Sequence, residues 1–458
     1  MSPVSLLDMP EEILLKIFFS GLSEDYWQGR NHIPLNVSHT NHALRRLALS
    51  SPCLWTKIGF SLDDDDDDGT DVDEGLQTRA ACTAKLFELW IERSGSSPLI
   101  CTTEVSRFGR MAERIFRLLL REQWRLRSIT LTFEYIGSIR PGFHFDLTNM
   151  PNLQKLDLAF MDDEEEVFTL DLSHSKQLRH LNLRQTRSHR WREITKSIQG
   201  QQLLHLRLDL EDSPRDTFLI TSLTMFPQLA HLDLRLTFNY GISLLSEMPN
   251  ESPILLPNLR VLKLGIGCGD LLNYFTAPSL VSLDIPMWTG TEVQTYEFIQ
   301  RSKPALEIMR WELWGNHEID RLQSILQELH AIKTLILYQC DPNYTDTTTL
   351  LWQLLSIKST GDKILLPILK DLEHGLSYIY GWSRTSEERL RELAIILADM
   401  VLSRYQHTRD FKLHLDDINL GKALKDLENF ENIRECILNG GKMTIGRKRQ
   451  HILYFPFQ

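Results

Sequence analysis

A short pattern, L-x-x-L-x-L, recurs along this chain and limits what it can fold into. It reads Leu126…Ile129-Leu131, Leu153…Leu156-Leu158, Leu178…Leu181-Leu183, Leu203…Leu206-Leu208 and Leu229…Leu232-Leu234. It continues as Leu259…Leu262-Leu264, Leu280…Leu283-Ile285, a looser Leu306…Met309-Trp311, and Ile332…Leu335-Leu337. First residues are separated by 27, 25, 25, 26, 30, 21, 26 and 26 positions. Alternate side chains of a strand point to one side, so each L-x-L lays two apolar groups on one face. A lone strand cannot bury that face, but copies stacked as a parallel sheet can. The return segments then read as helices or irregular turns. His317 to His330 is the clearest helix, with Ile319, Leu322, Ile325, Leu326 and Leu329 at helical spacing. Glu292 to Arg301 and Arg190 to Ile198 follow the same period more weakly.

A period of this length is the signature of leucine-rich repeats. Such repeats usually carry Asn or Cys three residues after the last Leu. Cys340 fits, whereas Met161, Thr186, Glu211, Thr237 and Gly267 do not, so degenerate repeats of irregular curvature are expected. Beyond residue 345 the pattern fades, and Leu369…Leu372 and Ile433…Cys436-Leu438 read as two further copies. Between them Ser386 to Tyr405 reads as a helix, with Thr385 and Glu388 at capping-box spacing. Upstream, Thr78 to Arg93 reads as a helix stopped at Gly95, and Arg107 to Trp124 as a second.

The amino end has a different character. Asp8-Met9-Pro10-Glu11-Glu12-Ile13-Leu14-Leu15-Lys16-Ile17-Phe18-Phe19 reads as a short helix capped by Asp8, with Pro10 in its first turn. Its apolar residues cover most of the circumference, and so short a segment cannot cover them with its own residues. A second protein is the expected cover. A polar loop with Asp25, Tyr26 and Trp27 follows, and then Leu35 to Trp55.

Met-Pro-x-Glu-Ile-Leu-x-x-Ile-Phe and Arg45-Arg46-Leu47-Ala48-Leu49-x-Ser51-Pro52-x-Leu54-Trp55 together resemble an F-box, in the form common in mushroom-forming fungi. The resemblance covers roughly residues 6 to 58. It departs at Met9, where the family carries Leu, and at Leu44, where the family carries Trp. It implies a three-helix module that docks on a Skp-type adaptor and so joins a cullin ubiquitin ligase. The adaptor contacts it implies are Pro10, Ile13, Leu14, Ile17, Phe18, Val37, Leu44 and Trp55, some serving instead as module core. The family's Trp-x-x-Arg-Ser-Gly link is matched by Trp90 to Gly95, reading the next helices as a bridge.

The expected fold class is therefore α/β: an F-box at 1–58, an acidic linker loop at 59–77, a helical linker at 78–124 and a leucine-rich-repeat solenoid at 125–458. The solenoid would carry a parallel sheet on its concave face and helices or irregular turns on its convex face. The 42% apolar and 24% charged composition is that of a folded protein. A net charge of −11 argues against a phosphate-binding surface over the whole molecule, so nucleic acid is not an expected partner. The six cysteines are scattered without a C-x-x-C pair, which fits reduced thiols. The amino end has no basic n-region or clean apolar h-region, and Leu393 to Leu402 is too short to span a bilayer. A soluble cytoplasmic or nuclear protein is expected, monomeric before assembly.

Residues flanking each L-x-L would line the concave face. The centre column is Asp157, Asn182, Arg207, Asp233, Lys263 and Asp284; one flanking column is Arg184, Asp209 and Arg235; the other is His180, His205 and His231. Two compatible readings stand: charges pairing with one another across strands, or a polar wall that recognises a target segment. Stacked imidazoles would repel if protonated together, coupling their titration. No third ligand accompanies them, so no metal is assigned. Asp63 to Asp68 with Gly69, Asp71 and Asp73 partly imitates a calcium loop, but Gly75 stands where the bidentate Glu belongs. Gly265-Ile266-Gly267-Cys268-Gly269 misses the dinucleotide spacing. Asp162 to Glu166 reads as a loop, and Arg447-Lys448-Arg449 as a solvated tail or a nuclear signal. No catalytic motif or cofactor fingerprint appears. The expected function is substrate recognition for a cullin-type ligase, catalysis residing in partner subunits; a repeat scaffold outside any ligase is the alternative.

Overall fold

The computed structural model describes residues 9–21, 33–62, 74–105, 110–133, 145–160, 168–198, 200–211, 218–236, 252–266, 268–288, 290–315, 317–339, 345–357, 364–376, 387–416, 418–427, 430–438 and 441–445. The chain is α/β and divides into two compact units, residues 1–212 and 213–458.

The first unit opens with helices α1 (Glu11–Gly21), α2 (Ile33–Thr40) and α3 (His42–Ser50). Helix α1 starts with the Ile13 and Leu14 amides donating to the Pro10 carbonyl; the expected cap, Asp8, lies outside the described residues. Asn41 caps α3, its side chain accepting from the Leu44 N–H at 2.9 Å. Trp55 fastens these helices to the next element. Its indole N–H donates to the Ala48 carbonyl at 2.8 Å, its ring meets Trp90 edge-on at 4.9 Å, and the Arg93 guanidinium lies 4.3 Å over it.

Among the described residues a row of six strands follows, paired in chain order and all parallel, besides a short two-stranded pair: β1 (Lys57–Leu62), β2 (Leu99–Val105), β3 (Leu126–Phe133), β4 (Lys155–Phe160), β5 (His180–Thr186) and β6 (His205–Leu210). Helices α4 (Glu74–Ser94), α5 (Arg110–Arg121) and α6 (Ser188–Ser197) occur between them. The sheet thus begins earlier than the leucine pattern indicates. The expected acidic linker starts inside β1, and the expected helical linker contains β2. Ile58 and Phe60 on β1, and Leu99, Cys101, Thr103 and Val105 on β2, supply the buried alternation without a leucine pair. Gly95 stops α4 as expected, in the left-handed region at φ +55°.

Among the described residues the second unit carries a row of eight strands, again in chain order, besides a short two-stranded pair: β7 (His231–Leu236), β8 (Val261–Leu264), β9 (Ser282–Trp288), β10 (Ile308–Trp314), β11 (Thr334–Gln339), β12 (Asp371–Leu376), β13 (Lys412–Leu415) and β14 (Lys442–Ile445). Its helices are α7 (Phe218–Leu223), α8 (Thr291–Ser302), α9 (Ile319–Glu328), α10 (Thr345–Leu355), α11 (Glu387–His407), α12 (Ile418–Lys425) and α13 (Phe430–Leu438). The segment Ile433…Cys436-Leu438, expected as a repeat strand, belongs to helix α13. The strands there are β13, which buries Leu413 and Leu415, and β14.

Register explains the repeat. Leu156, Leu181 and Leu206 are partners across the first unit's strands. Leu232, Leu262, Leu283, Met309, Leu335, Leu372 and Leu413 are partners across the second. All are buried, each contributing roughly 1.5–3 kcal/mol of transfer free energy against the cost of ordering the chain. The irregular end of the second unit is held by a buried arginine. Arg404 of α11 donates to the carbonyls of Leu355, Leu366 and Leu365 at 2.5, 2.8 and 2.6 Å. Burial lowers its pKa to about 10, so it stays charged at neutral pH. Among the described residues no helix is long and apolar enough to cross a membrane.

Candidate functional site

Helix α1 divides its apolar residues into two sets. Leu14 and Phe18, one turn apart, are 4% and 9% exposed and pack inward. Ile13 and Ile17, also one turn apart, are 42% and 44% exposed. Pro10, exposed and three residues before Ile13, lies on the same side. Phe19 and, on α3, Leu49 are exposed as well. Of the eight residues implied as adaptor contacts, Leu14, Phe18, Val37, Leu44 and Trp55 are buried in the chain's own core. A side chain so covered offers a partner almost no surface, which narrows the outward set to Pro10, Ile13 and Ile17. Leu44 fills the interior of the helical module.

The polar columns flanking each L-x-L exist, with changes. In the first unit Asp157, Asn182 and Arg207 are register partners, as are Lys155, His180 and His205. The His180 and His205 rings stack with centroids 4.2 Å apart and planes at 16°. Burial holds both imidazoles below their ordinary pKa, and at His180 the charges of His205, Lys155 and Arg179 add to it. His231 belongs to β7 in the second unit. Arg184 and Asp209, expected as cross-strand partners, are not: the register slips between Leu183 and Thr186, where Gln185 takes φ +53°. Arg184 pairs instead with Asp157 at 3.3 Å.

In the second unit Asp233 and Arg235 pair within one strand, at 3.0 and 3.2 Å. Lys263 stands in register between Asp233 and Asp284. The centre column then runs on through Arg310, Ile336, Glu373 and His414, and the flanking column through Glu312, Tyr338, Gly375 and Asp416. Sequence reasoning stopped these columns at Asp284, although the copies at Leu306 and Ile332 already placed Arg310 and Tyr338.

Around Tyr338 these side chains converge. Arg310 lies 3.6 Å from Asp284 and 3.2 Å from Glu312, and its guanidinium sits 4.7 Å over the Tyr338 ring. The Tyr338 hydroxyl donates to Glu373 at 2.6 Å. The ring reaches Glu373 by lying over Gly375, where a Cβ would be 2.6 Å from the Tyr338 Cε1 atom. Any larger residue at 375 would displace it. Burial pushes the Asp284 carboxyl up to about 6, opposed by Arg310 and reinforced by Glu312.

These groups can bind and orient a ligand. Among the described residues none of the sites above joins a nucleophile to a base, and no group of three or more His, Cys, Asp or Glu side chains could hold a metal. Two glycines of the near-miss dinucleotide motif serve packing: Gly265 donates to the Leu234 carbonyl and abuts Arg235, and Gly269 abuts Thr291; Gly267 lies outside the described residues. The acidic runs at 63–73 and 162–166 and the basic cluster at 447–449 lie outside the described residues. No protein-family model matches the chain, and no curated protein does.

Proposed function

We propose that this chain is the substrate-recognition subunit of a cullin-type ubiquitin ligase. Its amino-terminal helices act as an F-box that binds a Skp-type adaptor, and its leucine-rich repeats hold a target protein. The carrying observation is the exposed row Pro10, Ile13 and Ile17 on a helix whose other side is already buried. Two isoleucines left 42% and 44% exposed at adjacent turns forgo the rest of their burial, worth roughly 0.6–1.3 kcal/mol each, and a partner's apolar groove recovers it. The repeat faces supply a second, polar surface. Holding a target at one end and the ligase at the other makes ubiquitin transfer effectively intramolecular, so the chain needs no catalytic group of its own.

The test is co-purification from cells with a Skp-type adaptor and cullin. Ile13→Asp with Ile17→Asp is expected to abolish it while leaving thermal stability nearly unchanged, since both side chains are exposed. Unchanged co-purification removes the ligase reading. Recovery of a repeat-bound partner without adaptor or cullin supports the alternative, an interaction scaffold outside any ligase.

A further inference from the structure

One backbone position recurs at the amino ends of the strands, and the two units fill it differently. In the second unit it holds Glu307, Lys333 and Lys370, the two lysine amides each donating to the preceding residue's carbonyl in this series at 2.9 Å. Both lysines are ion-paired there, Lys333 with Glu307 at 2.8 Å and Lys370 with Asp410 at 2.7 Å. In the first unit the same series of amides, at 2.8 and 2.9 Å, runs through Arg127, Gln154 and Arg179. A neutral side chain here stands between two cations. The Arg127 guanidinium donates to the Gln154 side-chain oxygen at 3.0 Å, and the Gln154 side-chain amide donates to Gln177 at 3.3 Å. Lys155 adjoins them, on the polar face of β4 in register with His180 and His205. Arg127, Lys155 and Arg179 are exposed, and among the described residues none of the three has a carboxylate partner. The acid beside Lys155 on that face, Asp157, is bonded to Arg184. The field at His180 agrees: after burial, the charges of His205, Lys155 and Arg179 hold its imidazole down, and no carboxylate opposes them.

We propose that Arg127, Lys155 and Arg179 form a docking surface for an acidic segment of the target protein, whose aspartate or glutamate side chains supply the carboxylates that the first unit lacks there. The surface rests on reading the repeats as the target-holding part of the chain. Arg127 and Arg179 stand two strand spacings apart, roughly 10 Å, which three residues of an extended segment cover at roughly 3.4 Å each. Exposed charges of this kind act through steering and register, and salt screens them. Three cations on a chain of net charge −11 suit a short acidic segment better than a nucleic acid, whose binding rests on many phosphate contacts.

Full-length chain is titrated into fluorescein-labelled peptides, one a repeat of Gly-Ser-Glu-Ser and the other of Gly-Ser-Gln-Ser, and into labelled oligouridine of the same length, with anisotropy as readout. The glutamate peptide is expected to bind, more weakly as salt rises, and the glutamine peptide not to bind. Arg127→Gln, Lys155→Gln and Arg179→Gln together are expected to weaken binding about tenfold or more, with the melting temperature retained because all three side chains are exposed. Lys333→Gln with Lys370→Gln, at the equivalent positions of the second unit, should leave binding unchanged, since those lysines are already paired. The proposal is overturned if the glutamate peptide does not bind, if the triple variant binds it as well as the unaltered chain, if the Lys333→Gln, Lys370→Gln variant loses as much, or if oligouridine binds more tightly than the peptide. No adaptor is present in this experiment, and Ile13→Asp with Ile17→Asp should leave it unchanged, so its failure and that of the ligase reading are separable.

Discussion

The polar faces of the two units each stand on a buried leucine layer of the same kind and carry opposite chemistry. On β4 to β6 the first unit presents Lys155, His180, His205, Arg184 and Arg207 against Asp157 and Asp209. On β9 to β13 the second presents mainly carboxyls. The repeat backbone fixes where a side chain stands, and the residues between the leucines are then free to set charge independently in each unit. The difference has a thermodynamic sign. His180 and His205 are held below the ordinary imidazole value, so their contribution to stability is present above it and lost as pH falls. Asp284 is held up near 6, so its contribution is full below the ordinary carboxylate range and lost as pH rises through 6.

The largest effect should come from the leucine layer that each unit has. Leu206→Ala and Leu283→Ala remove fully buried partners of equivalent register. Each should cost about 2–5 kcal/mol in denaturant unfolding; a loss confined to one unit would break the comparison at its root. Next is Asp284→Asn. It should raise stability at pH 7 by on the order of 1–3 kcal/mol, the difference vanishing near pH 4. A destabilised variant at pH 7 would mean that the Arg310 pair outweighs the burial cost. A smaller shift of opposite sign is expected for His180→Gln, which should lessen the loss of melting temperature between pH 7 and pH 5. The smallest belongs to Arg184→Gln. Its partially exposed pair with Asp157 should contribute about 0.2–1 kcal/mol, falling further in high salt.

Most of the strand order was legible because two leucines at i and i+2 can share a buried face only as a strand. That signal failed where other residues took the leucines' place. β1 and β2 use Ile58, Phe60, Cys101 and Val105. It misled at Ile433…Cys436-Leu438, since a three-residue step also fits a helix. On α1 the sequence indicated an excess of apolar surface but not its division, because nearly every side of that helix is apolar. Only packing separates Leu14 and Phe18 from Ile13 and Ile17. The Tyr338 cluster was hidden for another reason: the tyrosine ring needs a glycine 37 positions away, on the neighbouring strand, to lie where it does.

The account depends on the isoleucine row of α1 being a binding surface, and purified components test this most directly. A Skp-type adaptor is immobilised and titrated with the chain and with its Ile13→Asp, Ile17→Asp variant. The account predicts saturable binding, weakened about 100-fold or more in the variant, a loss of roughly 3 kcal/mol, with the melting temperature retained. Equal binding by both, or none by the unaltered chain, would contradict it.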